Sequence, residues 1–507
     1  MAAKGNATPA DLTQRGRLGF LLKDSAIYGI AAALSKAFAL VTFPLIARHF
    51  SVAEFGVLDY FIVLAGFLVT FFIFGQDSAV ARFFYEHQET ELRKQLISQS
   101  LLFQLAGLAL FLPVFWLYAE WLASFLIEVP DCVFLLKIVL LQLPFLLLIN
   151  FSQNILKWTF ARVRFLIMSV GFATVQASLL VVAVVVLDVR VQGVLLVTLI
   201  SSSIFGILGL LFVRKWLTFP TDIKRLREMI PYALPYGLIC MVATLLPTLE
   251  RSLTNSQLGA DDLGLYAAAT KIAMLIGLLV TAFQTAWGPF SLSLHKESDS
   301  FQTYNYVFKL FALGMCVSAL VLTLLAQPLI HLLATDRYSG ATVVVFPLVL
   351  GLAIQGTSWI TEIGIGISKQ SHLNLYAYAI AVAATLGGIL LFAPTFGLLG
   401  VGLGVLIGHM SKAFVASLLA QRAYPLPWPY ASVIFIFGLT LLFGLSAIRL
   451  GQSLGDLAYL ITLAVALFVV VAAGWRILFD QTERNKLMEL LSRNCFGSHF
   501  IKNISPP

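Results

Sequence analysis

This sequence predicts a polytopic all-α membrane protein: about fourteen transmembrane helices, with two six-helix lobes around a central cavity plus two C-terminal helices. Three observations carry the prediction. The 507-residue chain is 59% hydrophobic and 11% charged, with a mean hydropathy of +0.92, whereas soluble domains carry roughly 25% charge. Apolar stretches of about 20 residues recur between short polar breaks, the length that takes a helix across ~30 Å of hydrocarbon. The stretches are continuously apolar rather than alternating, which selects helices over a β-barrel.

Residues 1–23 are polar and basic and lack a cleavage pattern, so they form a cytoplasmic N-terminal segment and the first span acts as its own insertion signal. Within them RGRLGFLLK has the character of a short amphipathic surface helix. The N-lobe, 24–213, holds spans at 24–48, 55–80, 95–118, 132–156, 163–187 and 192–213. A basic cytoplasmic linker follows at 214–230, RKWLTFPTDIKRLREMI. The C-lobe, 231–420, holds spans at 231–251, 263–288, 305–327, 341–363, 371–393 and 396–420. Residues 421–478 carry the last pair, at 430–448 and 457–478, and 479–507 form a cytoplasmic tail. With the N-terminus inside, cytoplasmic segments and the span ends beside them hold 25 of the 33 Lys and Arg, Lys412 among them, and the outer side holds five. That bias places both termini in the cytoplasm. The net charge of +8 is therefore topology, not nucleic-acid binding.

The two halves echo each other. SVAEFGVLDYFIVLAGFLV follows the first span and GADDLGLYAAATKIAMLIGLLV follows the seventh. Each runs small residue, acid, apolar residue, glycine (Gly56 or Gly264), apolar helix, and an arginine precedes each (Arg48, Arg251). A parallel duplication about an axis along the membrane normal accounts for this, with the cavity between lobes.

Charges within spans are costly, about 2.5–3.5 kcal/mol at least, so they face water or a partner. Lys36 shares a small, polar face with Ser25, Gly29 and Ala47. Asp59 and Asp77 are five turns apart and share a face of the second span. Gly351, Gln355, Ser358, Glu362 and Gly366 form a polar stripe on the tenth. Three prolines, Pro231, Pro235 and Pro247, predict a broken, kinkable seventh span. The reading is a hydrated interior with Lys36, Arg251 and Lys271 as cations and Asp59, Asp77 and Glu362 as acids. The alternative is that these groups pair between helices and do nothing further. Lys137 and Arg48 lie nearer the outer surface, where long stems snorkel; Glu250, off the Arg251 face, decorates the outer rim.

The isolated cysteines (132, 240, 316, 495) and the scattered histidines show no metal or disulfide spacing, and no nucleotide-binding motif is present, so neither cofactor nor metal is expected. Catalytic residues are not expected either. A membrane enzyme on lipid-linked glycans would need a sizeable loop for its catalytic groups, and these loops are short.

The run REMIPYALPYGL … LPTLERSLTNSQLGADDLGLYAAATKIAMLIGLLVTAFQTAWGPFSLSLHKE resembles the second-half opening of the Wzx-type polysaccharide flippases, a branch of the multidrug/oligosaccharidyl-lipid/polysaccharide exporter superfamily. LVTFPLIARHFSVAEFGVLDYF and FGLLGVGLGVLIG resemble its first-half signature and its glycine-rich twelfth span. One departure is Glu250, where many relatives carry Asp. The resemblance implies a flippase of the bacterial inner membrane that carries undecaprenyl-pyrophosphate-linked oligosaccharide repeat units outward by ion-coupled alternating access. Lys36, Arg251 and Lys271 would meet the anionic headgroup, and Asp59, Asp77 or Glu362 would bind the coupling ion. The expected partners are membrane lipid, a polyprenyl-pyrophosphate-linked glycan, and polysaccharide polymerase with chain-length machinery; a monomer suffices, since both lobes lie in one chain. A multidrug cation antiporter of the same superfamily is the alternative.

Overall fold

The computed structural model describes residues 41–485 apart from 88, 128, 130, 221, 295–299 and 369, together with 488. Lys36, the RGRLGFLLK stretch and most of the first span lie outside the described residues. Among the described residues the secondary structure is helical, and 13 helices are long and apolar enough to cross a membrane. The chain is a multi-pass membrane protein.

The last residues of the first span, 41–49, are helix α1. Then come α2 (Val52–Ile73), α3 (Gln76–Glu86), α4 (Thr90–Leu117), a short α5 (Ala119–Leu126), α6 (Cys132–Trp158), α7 (Arg162–Val186) and α8 (Val191–Val213). The second series is α9 (Lys224–Leu258), α10 (Ala260–Leu294), α11 (Ser300–Leu324), a short α12 (Ala326–Leu333), α13 (Thr342–Thr361), α14 (Ile363–Ile367), α15 (Leu373–Phe396) and α16 (Leu398–Ala423). Helices α17 (Tyr430–Leu454) and α18 (Asp456–Ile477) close the chain. The order recurs: α5 and α12 are each eight residues long, and each follows the third span of its half. Such a repeat of element order is what a duplicated six-span unit leaves.

The echoing motif has a local physical cause. Ser51 caps α2: its Oγ accepts from the Glu54 amide at 3.2 Å while the Glu54 carboxylate accepts from the Ser51 amide at 2.9 Å. This reciprocal pair satisfies two otherwise orphaned donors at a helix start. Glu54 is also held by Arg190 at 3.1 Å. In the second half Gly259, at φ +93°, makes the same chain reversal, and Asp261 and Asp262 occupy the first turn of α10, where carboxylates meet the positive end of the helix dipole. The two glycines of the motif meet: a Cβ on Gly56 would strike the Gly264 backbone, and one on Gly264 would strike the Val52 carbonyl.

Two sequence expectations change. The second span is not one helix over 55–80. It ends at Ile73, and Phe74 and Gly75 both take left-handed backbone (φ +46° and +70°) before α3 begins. Gly75 lies against Gly237 of α9, where a side chain on either would meet backbone. Asp59 and Asp77 therefore sit on separate helices and share no face. The seventh span, by contrast, is continuous despite Pro231, Pro235 and Pro247, and α9 begins at Lys224 inside the predicted linker.

Packing divides the chain into two compact units, Met1–Ile272 with Pro328–Val344 and Ser371–Gly408, and Ala273–Gln327 with Val345–Gln370 and His409–Pro507. In the first, α6 and α8 pack along each other, with the Gln142 side chain donating to the Leu195 carbonyl at 2.8 Å. In the second, α17, α18 and α11 form a cluster tied by Tyr459, which donates to the Thr323 carbonyl at 3.0 Å, and by Lys309 with Glu483 at 3.0 Å.

A leucine at Gly264 has no space against the Val52 carbonyl, so Gly264→Leu is expected to cost about 1–3 kcal/mol, as overpacking does. A lower thermal midpoint for the purified variant in detergent checks this; an unchanged midpoint contradicts the close approach.

Candidate functional site

Within the first unit three intramembrane charges converge. Asp59 lies seven residues into α2, Arg251 seven residues before the end of α9, and Lys271 eleven residues into α10. At 1.5 Å per residue, Asp59 and Arg251 are each about 10 Å from their helix ends and Lys271 about 16 Å. Asp59 is buried, its side chain 1% exposed, and each of its oxygens is taken by a different cation. Arg251 reaches Oδ2 from Nε and Nη2, both at 2.8 Å, and Lys271 Nζ reaches Oδ1 at 2.6 Å. Arg251 also donates from Nη1 to the Pro247 carbonyl at 3.1 Å and from Nη2 to Thr270 Oγ1 at 3.4 Å. Its side chain is 6% exposed, that of Lys271 19%. Lys271 is the more accessible cation.

Glu250 is not a rim residue. It is buried, and its Oε2 accepts from the Tyr266 hydroxyl at 2.8 Å; the Tyr266 ring lies under the Arg251 guanidinium, 5.6 Å from its centroid. The helix places Glu250 and Arg251 on different faces, and both faces are covered by other helices. With Glu250 ionised the four charges cancel; with Glu250 protonated the group carries one positive charge. The expected open array of cations is thus a compensated network, because a bare buried charge is far costlier than a paired one.

The second unit buries its own pair. Glu362 falls at the break between α13 and α14 and is bonded by Lys412 of α16 and by Ser358 Oγ at 2.9 Å. Lys412 is fully buried, with its ammonium over the Trp359 ring at 5.8 Å. Sequence reasoning counted Lys412 among the cytoplasmic charges, but it neutralises an acid inside the bundle. The signal that could have found it is the demand of intramembrane Glu362 for a cation. The stripe predicted on the tenth span is interrupted at Glu362, and Gly351 within it lies against the His409 ring.

The remaining sites are apart from these. Asp77 lines a small cavity of the first unit with Gln104, Asn150 and apolar side chains such as Ile73 and Phe151. Lys137 has its ammonium 5.5 Å from the Trp116 ring centroid, beside a cleft of about 500 Å³ that also contains Glu120 and Asp131. Arg48 donates to the Leu332 carbonyl at 3.1 Å. Among the described residues no group of acidic, histidine and cysteine side chains could hold a metal ion.

Removing Asp59 leaves two cations without their shared acid. Asp59→Ala is expected to destabilise by about 3–5 kcal/mol, and adding Lys271→Met to it should cost less than the sum of the two single changes. Denaturation of the purified single and double variants measures both. Equal, additive losses would contradict a shared carboxylate. In the second unit Lys412→Met is likewise expected to cost about 3 kcal/mol or more, with Glu362→Gln in the same chain recovering part of the loss.

Known proteins resemble this chain in sequence and in fold. Residues 21–295, more than half of the chain, match the polysaccharide biosynthesis protein family. An uncharacterized membrane protein of Haemophilus influenzae is 22% identical over 284 residues, 55% of this chain and 67% of the relative. The fold is similar to that of the lipid II flippase MurJ in an inward closed conformation, with a TM-score of 0.67 and 15% identity over 93% of this chain and 100% of that one. It is similar also to an inward-facing multidrug resistance MATE family transporter of the MOP superfamily, with a TM-score of 0.63 and 18% identity over 76% and 94% of the two chains. A Vibrio cholerae MATE transporter gives a TM-score of 0.56 at 18% identity, over 80% and 96%. A chain matched over more than half its length, with a MurJ- and MATE-like fold, belongs to the polysaccharide biosynthesis protein family.

Proposed function

We propose that this protein is a flippase moving an undecaprenyl-pyrophosphate-linked oligosaccharide repeat unit from the cytoplasmic to the outer leaflet of a bacterial inner membrane. Its work is the ion-coupled alternating access of two six-span lobes around a central cavity, and both termini face the cytoplasm. The observation that carries the reading is the Asp59 carboxylate held between Arg251 and Lys271 inside the membrane, in a member of a polysaccharide biosynthesis family. A pyrophosphate is an anion that competes with a carboxylate for the same donors: a guanidinium offers it two parallel hydrogen bonds and an ammonium a point charge. Exchange is the mechanism that follows. While Asp59 holds both cations, their burial is compensated and the site is closed. When substrate phosphate takes Lys271 and then Arg251, Asp59 needs a proton or a cation, which ties substrate binding to an ion. Lys36 is assigned to the same headgroup, and Glu362, released from Lys412, is a second place for that ion. The polyprenyl tail remains in lipid throughout. A polymerase and chain-length machinery on the outer side would take the product, and a single chain suffices as the transporter.

The fold likeness to MATE transporters favours a second reading, export of organic cations. The pairing argues against it, because both oxygens of Asp59 are already taken by built-in cations, which leaves a cationic drug little to gain there.

The test is a strain lacking its own copy of the gene and complemented with variants. Arg251→Gln and Lys271→Gln, confirmed as inserted and folded, should each reduce surface glycan about tenfold or more, in line with about 1.5–3 kcal/mol for a lost charge-assisted contact. Lipid-linked repeat units should accumulate on the inner leaflet. Wild-type glycan from both variants sinks the proposal, and loss of drug resistance with glycan intact selects the antiporter.

A further inference from the structure

We infer that the cavity lined by Asp77 in the first unit is a binding site for a small monovalent cation, of the sodium class. The cavity is about 10 Å³, the room that one water or one bare ion needs. It is lined by Asp77 of α3, Ser100 and Gln104 of α4, and Asn150, Asn154 and Trp158 of α6. The break at Phe74 and Gly75 creates it, because α3 starts afresh there and Asp77 falls in its first turn.

The independent sign of a ligand is Gln104. Its side chain is 3% exposed, its amide nitrogen donates to Ser100 Oγ at 3.2 Å, and its Oε1 has no hydrogen-bond partner. A buried carbonyl oxygen left unpaired costs about 1–3 kcal/mol, and a cation in the cavity removes that cost. The other donors match. Asn150 Oδ1 accepts from Asn154 at 3.0 Å and keeps a second lone pair. Asp77 Oδ1 accepts only from the adjacent Ser78, from its amide at 2.8 Å and its hydroxyl at 3.5 Å, among the bonds of its carboxylate. Carboxylate, amide and hydroxyl oxygens with no sulfur or imidazole suit a hard cation. A single carboxylate balances one positive charge, while a divalent ion would leave an excess charge in the membrane interior. Lys157, on the α6 end beyond Asn154, is within electrostatic reach of Asp77, and a neighbouring ammonium lowers the affinity of the site for a cation. The second unit gives a contrast: there the intramembrane acid Glu362 is met by the built-in ammonium of Lys412.

This deepens the ion-coupled part of the proposed function, and it is tested by binding without any lipid-linked glycan, so its failure is separate from failure of the transport reading. The full-length protein in detergent is assayed for radiolabelled sodium binding, and for a thermal shift in sodium against choline chloride at equal ionic strength. Expected are saturable binding and a higher thermal midpoint in sodium. Asp77→Asn and Gln104→Met should each weaken binding about tenfold or more, while Glu91→Gln, which removes an exposed carboxylate of α4, retains it. The Gln104→Met change keeps side-chain length and needs no charge, so it reports on the oxygen even where Asp77→Asn lowers folded yield. Absence of saturable sodium binding in the wild-type protein overturns the site, as does undiminished binding in Gln104→Met. Equal thermal midpoints in sodium and choline assign the cavity to a structural water and also overturn it.

Discussion

One carboxylate organises the charge of the first unit. Asp59 has two oxygens and each is committed to a cation from a different helix, Arg251 of α9 and Lys271 of α10. Without it two buried cations would be left uncompensated. The consequences spread through neighbouring residues. Arg251 is anchored further by the Pro247 carbonyl and Thr270, its guanidinium covers Tyr266, and the Tyr266 hydroxyl is spent on Glu250. Three helices, α2, α9 and α10, that lipid alone would hold loosely are thereby locked in register by polar contacts, each fussy about distance and angle.

The same network explains how a chain can carry charge within its spans. The charges are stored as pairs, and a pair is cheap until one member is offered a better partner. Glu362 with Lys412 repeats the arrangement in the second unit. Storage as pairs makes the cost of exposing a charge fall due only when an anion or cation arrives to take its place, which is the energetic form a substrate-driven transporter requires.

Much of the fold was legible because it is written in long-range averages. Spans of apolar residues, short breaks and the bias of Lys and Arg are properties of twenty residues at a time, and bilayer thickness leaves little choice about what they form. The convergence of Asp59, Arg251 and Lys271 could be anticipated as a class, since intramembrane charges need partners, but not as a pairing. Nothing in sequence tells that the acid of the second span meets the cations of the seventh and eighth. Lys412 and Glu250 were misplaced because both lie close enough to a span end for the hydropathy pattern to assign them to a surface. The break at Phe74 was hidden because Phe74 has no conformational signature, and Gly75 alone is common in membrane helices; the left-handed turn is selected by close packing on Gly237, a tertiary cause. Three prolines in α9 pointed the other way, toward a break that does not occur; membrane helices tolerate proline where neighbours satisfy the freed backbone groups.

The charge cluster also departs from the repeat. Counting from Gly56 and Gly264, the residue matching Asp59 is Ala267 and the one matching Lys271 is Val63, so the acid comes from one half and the ammonium from the other. The glycine contact is the opposite case, since equivalent residues touch each other. A surface that pairs with its own equivalent is what a two-fold homodimer uses. A half-length ancestor with this glycine could therefore have met a second copy of itself at the same point, and fusion of the two genes would then have freed the positions of Asp59 and Lys271 to diverge.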